Sequence, residues 1–490
     1  MGWQAWNLKR WQGSDSGEDR KSSCLPRSLS TAGPVREYPN GQTKKKVYIK
    51  SDSQSHFQNL ELEAAMTQQV QKQIVAVDPA VDSQRARRVP GTRRKMIAAL
   101  LLAGCMSAAW AFEAPGDGVF NERIDWGLMM DMTGPASANE VPWVYGVQAY
   151  IRKVNEAGGI HGRKINLLVE DDRYDSALAR INYERLVSQT HVLGISGVGN
   201  SSAQAAMMPM IKRGKVPIVG AYALTKTGTE PANPLYYAGF CGTREMAQVG
   251  VGHFSEALKV KSPKIAIAHL DVAGGKEYAD FVTAEVTKMG GSTKAMPIKV
   301  GAADVTAQVL EIIAMKPDMV TIYGVPSNSI LVMRALQQYN VNVPTFSITH
   351  LGTPAIYNAI GPEAGKNYYF VSCFTPSDVE DTPGVKEMSA MADKYGFGEY
   401  KSSVNYVGGW VVGQLIAEAV AKLGPEPTRE KLIALLNAGF EVDTKGASSP
   451  LKYTKDDHRG LTGLRPYSYN YQTKKFKPVG QYSDYDKFVK

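Results

Sequence analysis

Between Ile124 and Ile348, short apolar runs alternate with stretches of helical spacing, and this alternation constrains the chain more than any other feature. Strand patterns at Ile124 to Met130 and Lys164 to Val169 are followed by helical patterns at Val141 to Val154 and Ala177 to Val187. Such βαβ succession predicts an α/β fold with mostly parallel sheets flanked by helices. Further strands are expected at Val192 to Ile195 and from Val216. The pattern pauses around Tyr237 to Thr243. A second series then runs through strand Lys264 to Ala268, helix Lys276 to Met289, strand Thr293 to Ile298, helix Ala303 to Met315, strand Met319 to Tyr323, helix Asn328 to Tyr339 and strand Thr345 to Ile348. Two series of similar size predict two lobes. An extended run at Tyr368 to Val371, long helices at Tyr406 to Leu423 and Thr428 to Asn437, and a tail rich in Tyr and Lys complete the chain.

The net charge of +9 belongs almost wholly to residues 1–95, where 17 Lys/Arg face 9 Asp/Glu; the remainder is balanced at 39 against 38. The body therefore has no excess charge to steer polyanions, and no nucleic-acid partner is expected. Residues 1–88 lack sustained apolar periodicity and read as disordered, or as an over-extended start to the reading frame with translation beginning near Val89. Residues 89–111 combine a basic flank, Arg93-Arg94-Lys95, an apolar run from Met96, and the small-x-small end Ala109-Trp110-Ala111, which together describe a secretory signal. Cleavage before Phe112 is favoured. The alternative is a lipoprotein anchored at Cys105, in Leu102-Ala103-Gly104-Cys105. The apolar run is too short for a membrane span, and secretion places the chain in the periplasm.

Two apolar strands are each followed by a small-residue loop, Gly197 to Pro209 and Ala221 to Thr225, and both loops end at one sheet edge. Ligands of open parallel sheets sit at such edges. In the first loop Asn200, Ser201 or Ser202 can cap a helix, whose unpaired N–H groups suit an anion. An ordinary cap and a ligand site are both open on these residues. In the second loop Tyr222, Ala223 and Leu224 face the same question. Gly197-x-Gly199 is half of a dinucleotide fingerprint, with the third Gly missing. Asp171-Asp172 at a strand end has no third or fourth oxygen ligand nearby, so a solvated or structural role is expected over a metal pair. No nucleophile elbow, His-Glu-x-x-His or Walker loop is present, so no catalytic residue, metal or cofactor is expected. A helix-turn-helix ahead of the first lobe, which a repressor would need, is replaced by the signal.

Thr133-Gly134-Pro135, Asn155-Glu156-Ala157-Gly158-Gly159-Ile160-His161-Gly162, Glu170-Asp171-Asp172 and the Gly197 loop, in this order and spacing, resemble the bacterial branched-chain amino-acid class of ABC-transporter solute-binding proteins. The resemblance extends from Ile124 to about Val479. It implies a type I periplasmic binding fold, with two α/β lobes joined by three hinge crossovers and closing on a small molecule. The lobes would divide as 112–240 and 374–445 for the first, and 241–373 and 446–490 for the second. It also implies a monomer that serves ABC permease and ATPase subunits.

Carried over by position, the resemblance places the carboxylate-binding serine at Ser201, with Ser202 as its fallback. The first-loop tyrosine falls on Asn139, and the loop after the next strand on Tyr222 and Leu224. The stacking aromatic of the second lobe falls on Gly274, and the acid that pairs with an α-ammonium falls on Asn328. Carboxylate recognition would survive and ammonium recognition would be lost, unless Asp271 or Asp304 supplies the acid. Tyr222, Tyr323 and Tyr406 would offer aromatic walls, and His350 is placed by the cleft. Family topology also runs Cys241 and Cys373 side by side, as a disulfide or as two buried thiols. The expected function is periplasmic capture of a small carboxylate, aromatic or aliphatic, for import. The alternatives are a sensory receptor of the same fold and ordinary branched-chain amino-acid binding.

Overall fold

The computed structural model describes residues 116–484 apart from Leu224. The extension 1–88, the signal segment 89–111 with Cys105, and Leu224 lie outside the described residues. The first lobe is built on β1 (Arg123–Met130), β2 (Lys164–Asp171), β3 (Ile195–Gly197), β4 (Ile218–Ala221) and β5 (Tyr236–Ala238). They form an all-parallel sheet in the order β2-β1-β3-β4-β5. Its helices are α1 (Ser137–Glu156), α2 (Ser176–Arg185), α3 (Ser201–Arg213) and the short α4 (Lys226–Thr229). With helices on its faces the sheet is covered, so β1 beyond Arg123 and the whole of β3 are buried rather than alternating between buried and exposed.

The second lobe opens with α5 (Thr243–Leu258) and continues as β6 (Lys264–Leu270), α6 (Ala273–Lys288), β7 (Ser292–Ile298), α7 (Thr306–Met315), β8 (Met319–Tyr323), α8 (Pro326–Gln338), β9 (Thr345–Ser347), α9 (Pro354–Gly365) and β10 (Tyr368–Ser372). The chain then returns to the first lobe as α10 (Pro383–Tyr395), α11 (Val404–Lys422) and α12 (Arg429–Asn437). Three two-residue strands, β11 (Glu441–Val442), β12 (Leu451–Lys452) and β13 (Gly460–Leu461), pair antiparallel. Finally β14 (Gly463–Asn470) and β15 (Lys475–Pro478) extend the second sheet antiparallel beyond β10, and β16 (Ser483–Asp484) pairs with β14. The second sheet runs β15-β14-β10-β9-β8-β6-β7.

Two departures from the sequence reading have physical causes. Helix α1 starts at Ser137, four residues before the apolar period begins, because the Asp131 carboxylate accepts the N–H groups of Gly134 and Ala136 and folds the entry turn. Strand β5 and the first crossover occupy the stretch read as a pause, and from its last residue, Thr243, the chain forms α5, where no helix was expected. Its Gly250 and Gly252 weaken the helical signal, and Gly250 is required because a Cβ there would meet the Phe346 ring.

Helix α11 is buried along almost its whole length and lies against α1. Gly146 of α1 and Gly409 of α11 make this approach workable, since a Cβ at either would overlap a carbonyl of the opposite helix. The crossover segments run side by side between the lobes. Ser449 N–H donates to the Cys373 carbonyl at 2.8 Å, and Ala238 N–H to that of His458 at 2.9 Å.

Candidate functional site

The residues lining the main cleft come from the C-terminal ends of parallel strands and the segments that follow them. The first lobe contributes Asn139 and Glu140 after β1, Tyr174 after β2, Gly199 after β3, and Tyr222 and Ala223 after β4. The second contributes Leu270, Tyr323, Val325 and His350, and the first crossover adds Cys241 and Thr243. The enclosed space has an empty volume of about 480 Å³, open solvent at its mouth included. Ala136 of the first lobe meets Leu270, Val272 and Val325 of the second in a small apolar cluster of its own.

The floor of the cleft is acidic. Glu140 is 1% exposed, and its Oε2 accepts the Asp131 N–H at 2.6 Å. A Cβ at Gly199 would overlap this carboxylate, so glycine at 199 makes room for it. Burial, and then the Asp172, Asp131 and Asp171 carboxylates, hold Glu140 well above the ordinary carboxylate range. Asp172, also 1% exposed, is pushed up to about 7, chiefly by burial. Its Oδ1 accepts the Tyr174 N–H at 2.9 Å, and its Oδ2 has no partner. Asp171 behaves differently. Although partly buried, it is lowered by hydrogen bonds from the Thr133 hydroxyl and the N–H groups of Met132 and Arg173. It ties the β1 loop to the end of β2.

Asn405, in the first turn of α11, joins several walls of the cleft. Tyr222 Oη donates to its Oδ1 at 2.8 Å, and its Nδ2 donates to the His350 carbonyl at 2.9 Å and to Asn139 Oδ1 at 3.5 Å. The His350 ring stacks on Phe240 at 4.3 Å and meets Tyr222 edge-on at 4.7 Å. Burial lowers the ring to about 4, so it is neutral, and its Nδ1 has no partner.

Of the ligand residues expected from sequence, Asn139, Tyr222, Ala223, Tyr323 and His350 line this space. The other described ones lie outside its lining. Asn200 caps α3, its Oδ1 accepting the N–H groups of Ser202 at 2.9 Å and Ala203 at 3.2 Å. Asn328 is similarly engaged, accepting the Val325 N–H at 3.2 Å at the start of α8. Tyr406 is buried in α11 against Phe397. The acids named as substitutes are elsewhere: Asp271 pairs with Lys276 at 2.9 Å, and Asp304 accepts the Thr306 N–H and hydroxyl. Glu140, Tyr174, Asn405, Thr243 and Met246 were not anticipated. The available signal for Glu140 was its adjacency to Asn139.

Ser201 and Ser202 meet the second lobe directly. Gly274 N–H donates to Ser201 Oγ at 3.0 Å, and Ala273 N–H to Ser202 Oγ at 3.3 Å. A Cβ at Gly274 would overlap the Tyr323 hydroxyl and come within 3.1 Å of Ser201, so glycine permits this approach. Glu277 of α6 adds a further link, accepting the Lys226 N–H and the Thr243 hydroxyl. At the crossovers the Cys241 and Cys373 thiols are unbonded and buried, with their sulfurs 2.7 Å apart.

Val198, buried between the two glycines of the Gly197 loop, has a φ of 61°. A β-branched residue in the left-handed region is strained by about 1–3 kcal/mol, and such strain gathers at functional loops. Among the described residues no group of three or more His, Cys, Asp or Glu has the geometry to hold a metal ion. Nor is any described helix long and apolar enough to cross a membrane.

Comparison with known proteins agrees with this architecture. A Leu/Ile/Val-binding protein homolog 7 from Brucella suis biovar 1 (strain 1330) is 25% identical over 341 residues, covering 66% of this chain and 82% of the relative. The Leu/Ile/Val-binding protein BraC3 of Rhizobium johnstonii is 24% identical over 326 residues, covering 66% and 85%. Among solved structures, a branched-chain amino-acid ABC transporter protein from Thermus thermophilus with bound valine has a TM-score of 0.68 at 20% identity, over 76% of this chain and 98% of that one. A fatty acid ABC transporter substrate-binding protein from Thermomonospora curvata has a TM-score of 0.66 at 20% identity, over 76% and 95%. The family described as periplasmic binding protein matches residues 124–475, and with its two lobes, three crossovers and cleft at the strand ends the chain belongs to that family.

Proposed function

We propose that this protein is the periplasmic substrate-binding component of an ABC importer. It captures a small solute between its lobes and presents the closed form to a membrane permease, which works with an ATPase subunit. The observation that carries this reading is the cleft itself, with strand ends from both lobes converging on a space bridged by Ser201–Gly274 and Ser202–Ala273. Hinge closure of this kind buries the solute and reshapes the outer surface in one movement. The first lobe is assigned 112–240 and 374–445, the second 241–373 and 446–490, and the chain acts as a monomer exported by the signal at 89–111.

The expected carboxylate ligand keeps one contact in this reading, the Ser201 hydroxyl. The N–H groups of Ser202 and Ala203 behind it are taken by Asn200. Recycling delivery suits a dissociation constant near 1 μM, roughly −8 kcal/mol. The test is a thermal-shift screen of amino acids, amines and aromatic and aliphatic acids against the purified chain. A hit should then stimulate ATP hydrolysis by the reconstituted permease and ATPase only when this protein is present. Stabilisation by a solute without any effect on the transporter would leave a receptor and remove the importer.

A further inference from the structure

We infer that the cleft selects a protonated amine, with Glu140 as the residue that reads it and the solute's carboxylate dispensable. This rests on the solute-receptor reading above and names the class of solute. Glu140 is the only acid in the lining, and among the described residues no lysine or arginine lines the cleft to neutralise it. Its Oε2 takes the Asp131 N–H, and no hydrogen bond reaches Oε1. A buried carboxylate without a cation is unfavourable until a ligand supplies one.

The backbone N–H groups that would serve an anion are already engaged. Asn200 takes the N–H groups at the start of α3, Asn328 takes that of Val325, and the Ser201 and Ser202 hydroxyls take those of Gly274 and Ala273. Two observations apart from Glu140 point to a donor-rich cation. His350, a neutral ring with an unpartnered Nδ1, is among the residues that line the same cleft. Tyr174, Tyr222 and Tyr323 surround the space with aromatic rings, whose faces attract a cation. An ammonium has three donors and no acceptor, which suits the unpaired Glu140 Oε1. The absence of metal-holding geometry among the described residues favours an amine over a divalent ion.

The titratable groups around Glu140 are Asp131 at the end of β1, Asp171 and Asp172 at the end of β2, Tyr174, Tyr222, Tyr323 and His350. Burial raises the three tyrosines and lowers the histidine, so all four stay neutral between pH 5 and 8. Without a cation beside it, burial and the Asp172, Asp131 and Asp171 carboxylates favour Glu140 with its proton on. An incoming ammonium displaces that proton to solvent, so amine affinity rises with pH over this range.

The test uses three probes that share a branched aliphatic chain: leucine, isopentylamine and 4-methylpentanoate. Calorimetry on the full chain is expected to show binding of the first two and none of the third. Glu140→Gln, which keeps an acceptor for the Asp131 N–H, should weaken both amines by about 30-fold or more, and should reduce the buffer-dependent heat of proton release, to which Asp172 also contributes. Binding of 4-methylpentanoate as tight as that of leucine, or amine affinity unchanged in Glu140→Gln, would overturn the inference and leave the receptor reading standing. Silence from every probe and from the wider screen would remove both. Should Glu140→Gln fail to fold, the wild type decides: isopentylamine affinity that does not rise between pH 5 and 8 overturns the inference.

Discussion

Replacing Asp172 by Asn should make the protein more stable at neutral pH, against the usual outcome of altering a buried polar residue. Asp172 is 1% exposed, faces Asp131 and Asp171, and has one carboxylate oxygen without a partner. Folding raises it from 3.8 to about 7, so the folded state favours the protonated form. Its contribution is fully present below the unfolded value and is lost as pH rises through the folded one. The wild type should therefore lose stability between about pH 4 and pH 7, by at most roughly 4 kcal/mol from this group. The Asn variant keeps an acceptor for the Tyr174 N–H and does not ionise, so it escapes the loss. Urea unfolding of both proteins at half-unit steps from pH 4 to pH 8 measures the difference. The curves should coincide near pH 4 and separate with the variant above. Parallel curves, or a variant less stable at pH 8, would refute the placement of a protonated Asp172 in this cluster.

Gly274→Ala should weaken solute binding by hindering closure, and Tyr323→Phe in the same chain should restore part of the loss by removing the hydroxyl that a Cβ would strike. Small-angle scattering with and without solute reads the closure, and identical closure in wild type and Gly274→Ala would refute the steric argument. Ser201→Ala removes the acceptor for the Gly274 N–H and should destabilise the closed form by about 1 kcal/mol, read as a weaker Kd in calorimetry. Mild oxidation should join Cys241 to Cys373, closing a loop of 132 residues and adding up to about 5 kcal/mol to stability. Two thiols still open to alkylation in the oxidised, unfolded protein would exclude the bond.

The fold was legible because the hydrophobic effect writes burial into sequence period. Strand β8 falls on the predicted Met319 to Tyr323, and β1 and β7 begin one residue before the expected start. Segments built on glycine were harder to read, as α5 shows. The cleft was legible as an edge, since strand ends followed by small-residue loops mark it, but not as a set of side chains. An acid in the first turn of a helix reads as a complement to the helix dipole. Nothing local tells that Glu140 is turned inward against Gly199. Asn405 is one amide in an apolar helix, and its role depends on the His350 and Tyr222 loops, which are distant in sequence. Asn200 and Asn328 were read for a ligand, whereas each answers the demand of its own helix for a cap.

The closeness of Gly199 to Glu140 also restricts the order in which such a cleft can change. A side chain at 199 and a carboxylate at 140 would occupy the same space. Glycine must therefore stand at 199 before an acid can be accepted at 140, and it must remain while the acid does. A relative that has given up the acid is released from this requirement, since the clash at 199 is with that carboxylate. The two positions are expected to vary as a pair across the family, with any side chain larger than hydrogen at 199 found only where residue 140 is small.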